Sequence, residues 1–115
     1  MSLITGWSLG GRGTDMENLE QALYNDFIHS IKKMKGKGYT PSRFIGMLGM
    51  YGAVQTAKKL INKPNGDYSE GFEKLYEFRM LDASLEYYVA YVDKYKSLFS
   101  EEERQICRDR LAKYQ

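Results

Sequence analysis

Residues 40–61 read TPSRFIGMLGMYGAVQTAKKLI, and the fold class turns on this stretch. Thr40 before Pro41 is a helix start: a hydroxyl placed to accept from a free N–H, then a residue whose missing N–H costs nothing in the first turn. Phe44, Ile45, Met47, Leu48 and Tyr51 follow at helical spacing. Gly52 reads as a stop or hinge. A second short helix then places Val54, Ala57, Leu60 and Ile61 inward, with Lys58 and Lys59 outward. Two helices meeting at a glycine also sketch a helix-turn-helix.

Upstream, Thr14 with Glu17 forms a capping-box pattern. Met16, Leu19, Leu23, Phe27, Ile31 and Met34 then recur every three or four residues, as an amphipathic helix requires. Lys32, Lys33 and Lys35 sit late in it, where the macrodipole favours cations, and Gly36 and Gly38 end it. Downstream, the run Asn62-Lys63-Pro64-Asn65-Gly66 breaks the chain. Ser69 is placed to cap a helix carrying Phe72, Leu75 and Tyr76. Asp82 is placed to cap another with Leu85, Tyr88, Val89, Val92 and Tyr95 inward. Ser100 with Glu103 is a second capping box, before Ile106, Cys107 and Leu111. No stretch alternates with the period of a strand. The expectation is an all-α protein: a single bundle of about six short helices over residues 14–115, behind a flexible leader at residues 1–13 (MSLITGWSLGGRG).

Composition narrows the function classes. With 43% hydrophobic residues in 115, the chain can bury one core without disulfides or metals. No apolar run approaches the roughly 20 residues of a membrane span, and no signal peptide is visible. Cys107 is the only cysteine, which suits a reduced, cytoplasmic setting. The net charge of +2 conceals a segregated layout. Residues 1–29 carry −3, residues 64–115 carry −3, and residues 30–63 carry +8 with no acid at all.

Several motifs resemble chemistry, and each has a simpler reading. A zinc site of the usual kind needs about four nitrogen or sulfur ligands, and His29 and Cys107 supply two. Cys107 lies on an inward stripe and reads as a small hydrophobe, His29 as a surface residue. Glu73 and Glu77, one turn apart, read as a solvated helix face beside Lys74 and Arg79. No catalytic residue, metal or cofactor is expected. Gly46, Gly49 and Gly52 recur every three residues, and the expected reason is another helix crossing closely there.

A resemblance begins at Gly38-Tyr39-Thr40-Pro41-Ser42-Arg43-Phe44 and continues through Met47, Tyr51-Gly52 and Ala57-Lys58-Lys59-Leu60-Ile61. It resumes at Ser69-Glu70-Gly71-Phe72, Leu75-Tyr76-Glu77, Leu81-Asp82 and Leu98-Phe99-Ser100-Glu101-Glu102-Glu103, and runs to Arg110-Leu111. Over about two thirds of its length the chain is similar to a small bacterial helical module of uncharacterised function, found alone or appended to larger proteins. The resemblance implies a helical domain, often near genome-maintenance or defence functions, and carries no reaction or ligand. Gly46 and Gly49 depart from it, since that module more often has bulky residues there.

The functional expectation is a non-catalytic module that binds nucleic acid, DNA first. Lys35, Lys37, Arg43, Lys58, Lys59 and Lys63 would hold phosphates, and Gln55 and Thr56 would reach base edges from the second helix of the pair. The alternative is a protein-interaction or regulatory domain in bacterial or phage defence. It would offer Tyr87 and Tyr91, or the basic segment, to an acidic partner.

Overall fold

The computed structural model describes residues 11–63 and 70–114, with side chains from Asp15 on. Among these residues every regular element is helical. The five α-helices are α1 (Gly11–Gly36), α2 (Ser42–Ile61), α3 (Phe72–Glu77), α4 (Leu85–Tyr91) and α5 (Glu101–Ala112). Two 3-10 segments, Leu81–Ala83 and Asp93–Leu98, flank α4. The all-α expectation holds, and because α2 is broken at Gly52 the bundle has six helical arms.

The apolar stripe of α1 buries Leu23, Phe27, Ile31 and Met34, while Met16 near its start is 46% exposed. The helix begins at Gly11, so it runs through the cap expected at Thr14 and takes in the last residues of the expected leader. Its other end is a Schellman motif: Tyr39 N–H donates to Met34 O and Gly38 N–H to Lys35 O, with Gly38 at φ 90°.

Helix α2 starts one residue later than expected. Pro41 holds the cap position, Thr40 lies outside, and no local side chain caps the first turn. A distant acid does so: Phe44 N–H donates to Glu70 Oε1 at 2.7 Å. At Gly52 the backbone leaves the helix (φ 81°, ψ 178°), which frees the next N–H groups. Ala53 N–H donates to Glu20 Oε2 at 2.6 Å, and Val54 N–H reaches both Glu20 oxygens at 3.3 and 3.4 Å. A Cβ at position 52 would take a φ that other residues avoid and would lie 3.1 Å from Glu20 Oε2.

The cap expected at Ser69 lies outside the described residues. Helix α3 closes in a Schellman turn with Arg79 at φ 61°, Met80 N–H donating to Leu75 O at 2.7 Å. The single helix expected from Asp82 through Tyr95 is divided. Ser84, not Asp82, caps α4: its Oγ accepts from Tyr87 N–H at 3.1 Å. Val92 turns extended, and residues 93–98 tighten into 3-10 geometry. Helix α5 has both halves of the expected Ser100–Glu103 capping box.

Packing runs in two pairs, α1 along α2 and α4 along α5. Between them lie Phe27, Phe44, Leu48, Ile61, Phe72, Val89, Tyr95, Cys107 and Leu111. Each buried Leu or Phe of this kind contributes about 1.5–3 kcal/mol. Polar ties cross the same seam. Tyr95 Oη donates to Asp26 Oδ2, and Ser30 Oγ and Tyr88 Oη share a hydrogen bond of 3.2 Å.

Candidate nucleic-acid interface

The two arms of α2 carry most of the expected contact residues, and their helical phase decides which can reach a ligand. In the second arm Ala53, Thr56, Ala57, Leu60 and Ile61 face the core. Thr56 is fully buried, and its Oγ1 has no hydrogen-bond partner. It cannot read a base edge. The expectation for Thr56 fails because the same period that turns Lys59 outward turns Thr56 inward.

Gln55 and Lys59 are exposed. Lys59 lies over the Tyr51 ring, 4.6 Å from its centroid. Lys58 is committed to the fold. Its Nζ donates to Glu103 Oε1 at 2.8 Å and sits 5.3 Å from the centre of the Phe99 ring. Asn62 Nδ2 completes the grip on Glu103 at 2.9 Å. Burial alone would raise the Glu103 pKa. Hydrogen bonds from Lys58, the Ser100 N–H and Asn62 outweigh it and hold the carboxyl below its ordinary value.

The expected basic set therefore separates. Arg43 and Lys63 line one cleft of about 520 Å³. Gln55 and Lys58 line another, of about 430 Å³, with Met16, Glu17, Glu20, Val54 and Leu98. Lys35 and Lys37, both exposed, lie where α1 leads through Tyr39 toward the first cleft. The helix-turn-helix outline becomes a one-residue break, without the three or four residues of that motif's turn. The N–H groups at the start of the second arm, which a phosphate would use, are held by Glu20.

The first cleft is built from three directions. Arg43, Phe44 and Met47 come from the first arm, Leu60 and Lys63 from the end of the second, and Glu70 to Glu77 from the α3 region. Gly71 lets these walls close, because a Cβ there would stand 3.0 Å from Met34 Sδ and 3.3 Å from Tyr39 Cε2. Tyr39 and Lys74 were not expected at a site. Their place depends on α3 folding back over α2, which no local pattern encodes.

The glycines of the first arm are open. A Cβ at Gly46 or Gly49 would meet nothing within 4 Å, so the expected close helix crossing does not occur at these two positions among the described residues. Of the tyrosine pair, Tyr87 is half-buried and Tyr91 47% exposed, their ring centroids 5.5 Å apart.

Burial pushes the Cys107 thiol up to about 12, so it stays protonated. Glu77 accepts from Lys74 at 3.4 Å on an exposed face. Among the described residues no three His, Cys, Asp or Glu gather to hold a metal, and no helix is long and apolar enough to cross a membrane. Set against known proteins, the chain matches no family model, no curated protein and no solved structure.

Proposed function

We propose that the chain is a non-catalytic nucleic-acid-binding module that acts through the phosphate backbone instead of through a helix-turn-helix reading of bases. One observation carries this reading. Of the eight cations in residues 30–63, only Lys58 has an ion-pair partner among the described residues. Lys32, Lys33, Lys35, Lys37, Arg43 and Lys59 are exposed, and no acid lies between residues 30 and 63 to neutralise them. Cations left free in this way attract polyanions by releasing condensed counterions. Gln55 stays available for an occasional base contact, whereas Thr56 does not.

The test is fluorescence anisotropy with a mixed-sequence duplex and a single strand at low and moderate salt. Binding should weaken steeply as salt rises. The Lys35→Glu/Lys37→Glu variant should bind more weakly at every sequence. Absence of binding to either probe at low salt contradicts the proposal.

A second reading, a protein partner, draws on exposed Met50 (73%), Tyr51 and Tyr91. Such a partner would bind through apolar contact, so its affinity would change little over the same salt range.

A further inference from the structure

We propose that the cleft where α2 meets the α3 region holds one unpaired nucleotide of a bound strand, its base against the apolar lining and its phosphate at Arg43 and Lys63. This rests on the nucleic-acid reading above and narrows it to strands with at least one base free of the stack.

The cleft's volume, about 520 Å³, lies within the range of small-molecule sites. Its apolar lining is Phe44, Met47, Leu60 and Phe72. Arg43, from the first arm, and Lys63, two residues past the end of the second, also line it, and neither has an ion-pair or hydrogen-bond partner among the described residues. The acids of the cleft are mostly occupied. Glu70 accepts from Phe44 N–H, and Glu77 is paired with Lys74. Glu73 is exposed and open, an acceptor suited to an exocyclic amino group such as that of cytosine. Tyr39 adds an aromatic face to the wall.

Apolar surface, two unpaired cations and one open carboxylate in the same cleft match the apolar body, phosphate and amino donor of a nucleoside phosphate. Inorganic phosphate has no body for the apolar lining, and a base within a duplex cannot leave its stack without cost. A duplex would therefore meet only the outer lysines, while a single strand could also fill the cleft.

The experiment compares a mixed-sequence 12-nucleotide single strand with a hairpin-closed duplex by anisotropy, using the full chain. Wild-type protein should prefer the single strand by about ten-fold, the scale of one stacked base. Met47→Trp, which fills the cleft, should abolish that preference and leave duplex binding unchanged. Should Met47→Trp fail to fold by circular dichroism, Arg43→Ala/Lys63→Ala decides instead, and it should remove the preference too. Displacement of the strand by dCMP, but not by equal inorganic phosphate, supports a base-holding cleft. Equal displacement by both reduces the cleft to an anion site and overturns the proposal. Equal binding of strand and duplex, unaltered by the variants, also overturns it while leaving the broader nucleic-acid reading standing. Only the loss of all binding at low salt removes both.

Discussion

The two halves of the bundle use their charges differently. In the α4–α5 half, Glu86 and three arginines are tied into the fold, while Lys94, Lys96, Glu102 and Lys113 stay exposed. Glu86 and Arg110 are buried together at 3.3 Å, and Arg110 also donates to the carbonyls of Leu60 and Ile61 at the end of α2. Arg104 donates to Val89 O and Ala90 O near the end of α4, and Arg108 is paired with Glu101. In the α1–α2 half, the cations of residues 30–63 stand in solvent, apart from Lys58, half-buried Lys63 and the Lys59–Tyr51 contact. The difference separates charges that hold the protein together from charges that remain available. A binding function is therefore sought in the first half, and stability defects are expected from the second.

The comparison is most sharply broken by Arg110→Met. It removes the buried ion-pair partner of Glu86 and the donor to the α2 carbonyls, so a loss of about 3–5 kcal/mol is expected in urea denaturation. Next comes Glu103→Gln, which weakens the capping box and the ties to Lys58 and Asn62. A loss of about 1–2 kcal/mol at neutral pH should result.

Glu103 also gives a pH signature. Its folded-state pKa is depressed, so its contribution is present above the ordinary carboxylate pKa and is lost as pH falls through the folded value. Wild type should lose stability on acidification, and Glu103→Gln should lose less over that acid range.

A smaller effect of opposite sign is expected from Gly46→Ala and Gly49→Ala. Both sites are exposed helix interior with open space around the Cβ, so each should raise stability by about 0.5–1 kcal/mol in thermal denaturation. Smallest of all, Lys35→Glu and Lys59→Glu should shift stability by less than about 0.5 kcal/mol, as solvated surface changes do. Lys58→Glu should cost more, because it sets a second acid against Glu103.

The legible part of this molecule is its local chemistry. The Ser100–Glu103 box, the stop at Gly38, the break at Gly52 and the inward stripe Leu23-Phe27-Ile31-Met34 follow from residue type and spacing. Start signals were less reliable. Thr14 and Thr40 carry the right hydroxyl, yet α1 begins at Gly11 and Glu70 replaces the local cap of α2 from far along the chain. The run 82–95 is apolar in helical phase, but Ser84 offers its own hydroxyl to the backbone and recasts the start. The candidate site was half legible. Lysines without nearby acids show in the sequence, whereas the loss of Lys58 to Glu103 and of Thr56 to the core depends on tertiary packing. Glu86–Arg110 had no sequence signal, since either residue alone reads as a solvated helix position.

The division of charges is tested most directly by the salt dependence of duplex binding, as log Kd against log salt, for wild type and Lys35→Gln/Lys37→Gln/Lys59→Gln. Removal of three free cations should lower the slope by about one per residue, with the denaturation midpoint unchanged. Parallel lines for the two proteins, or a variant that unfolds with the losses expected of Arg110→Met, would contradict the account.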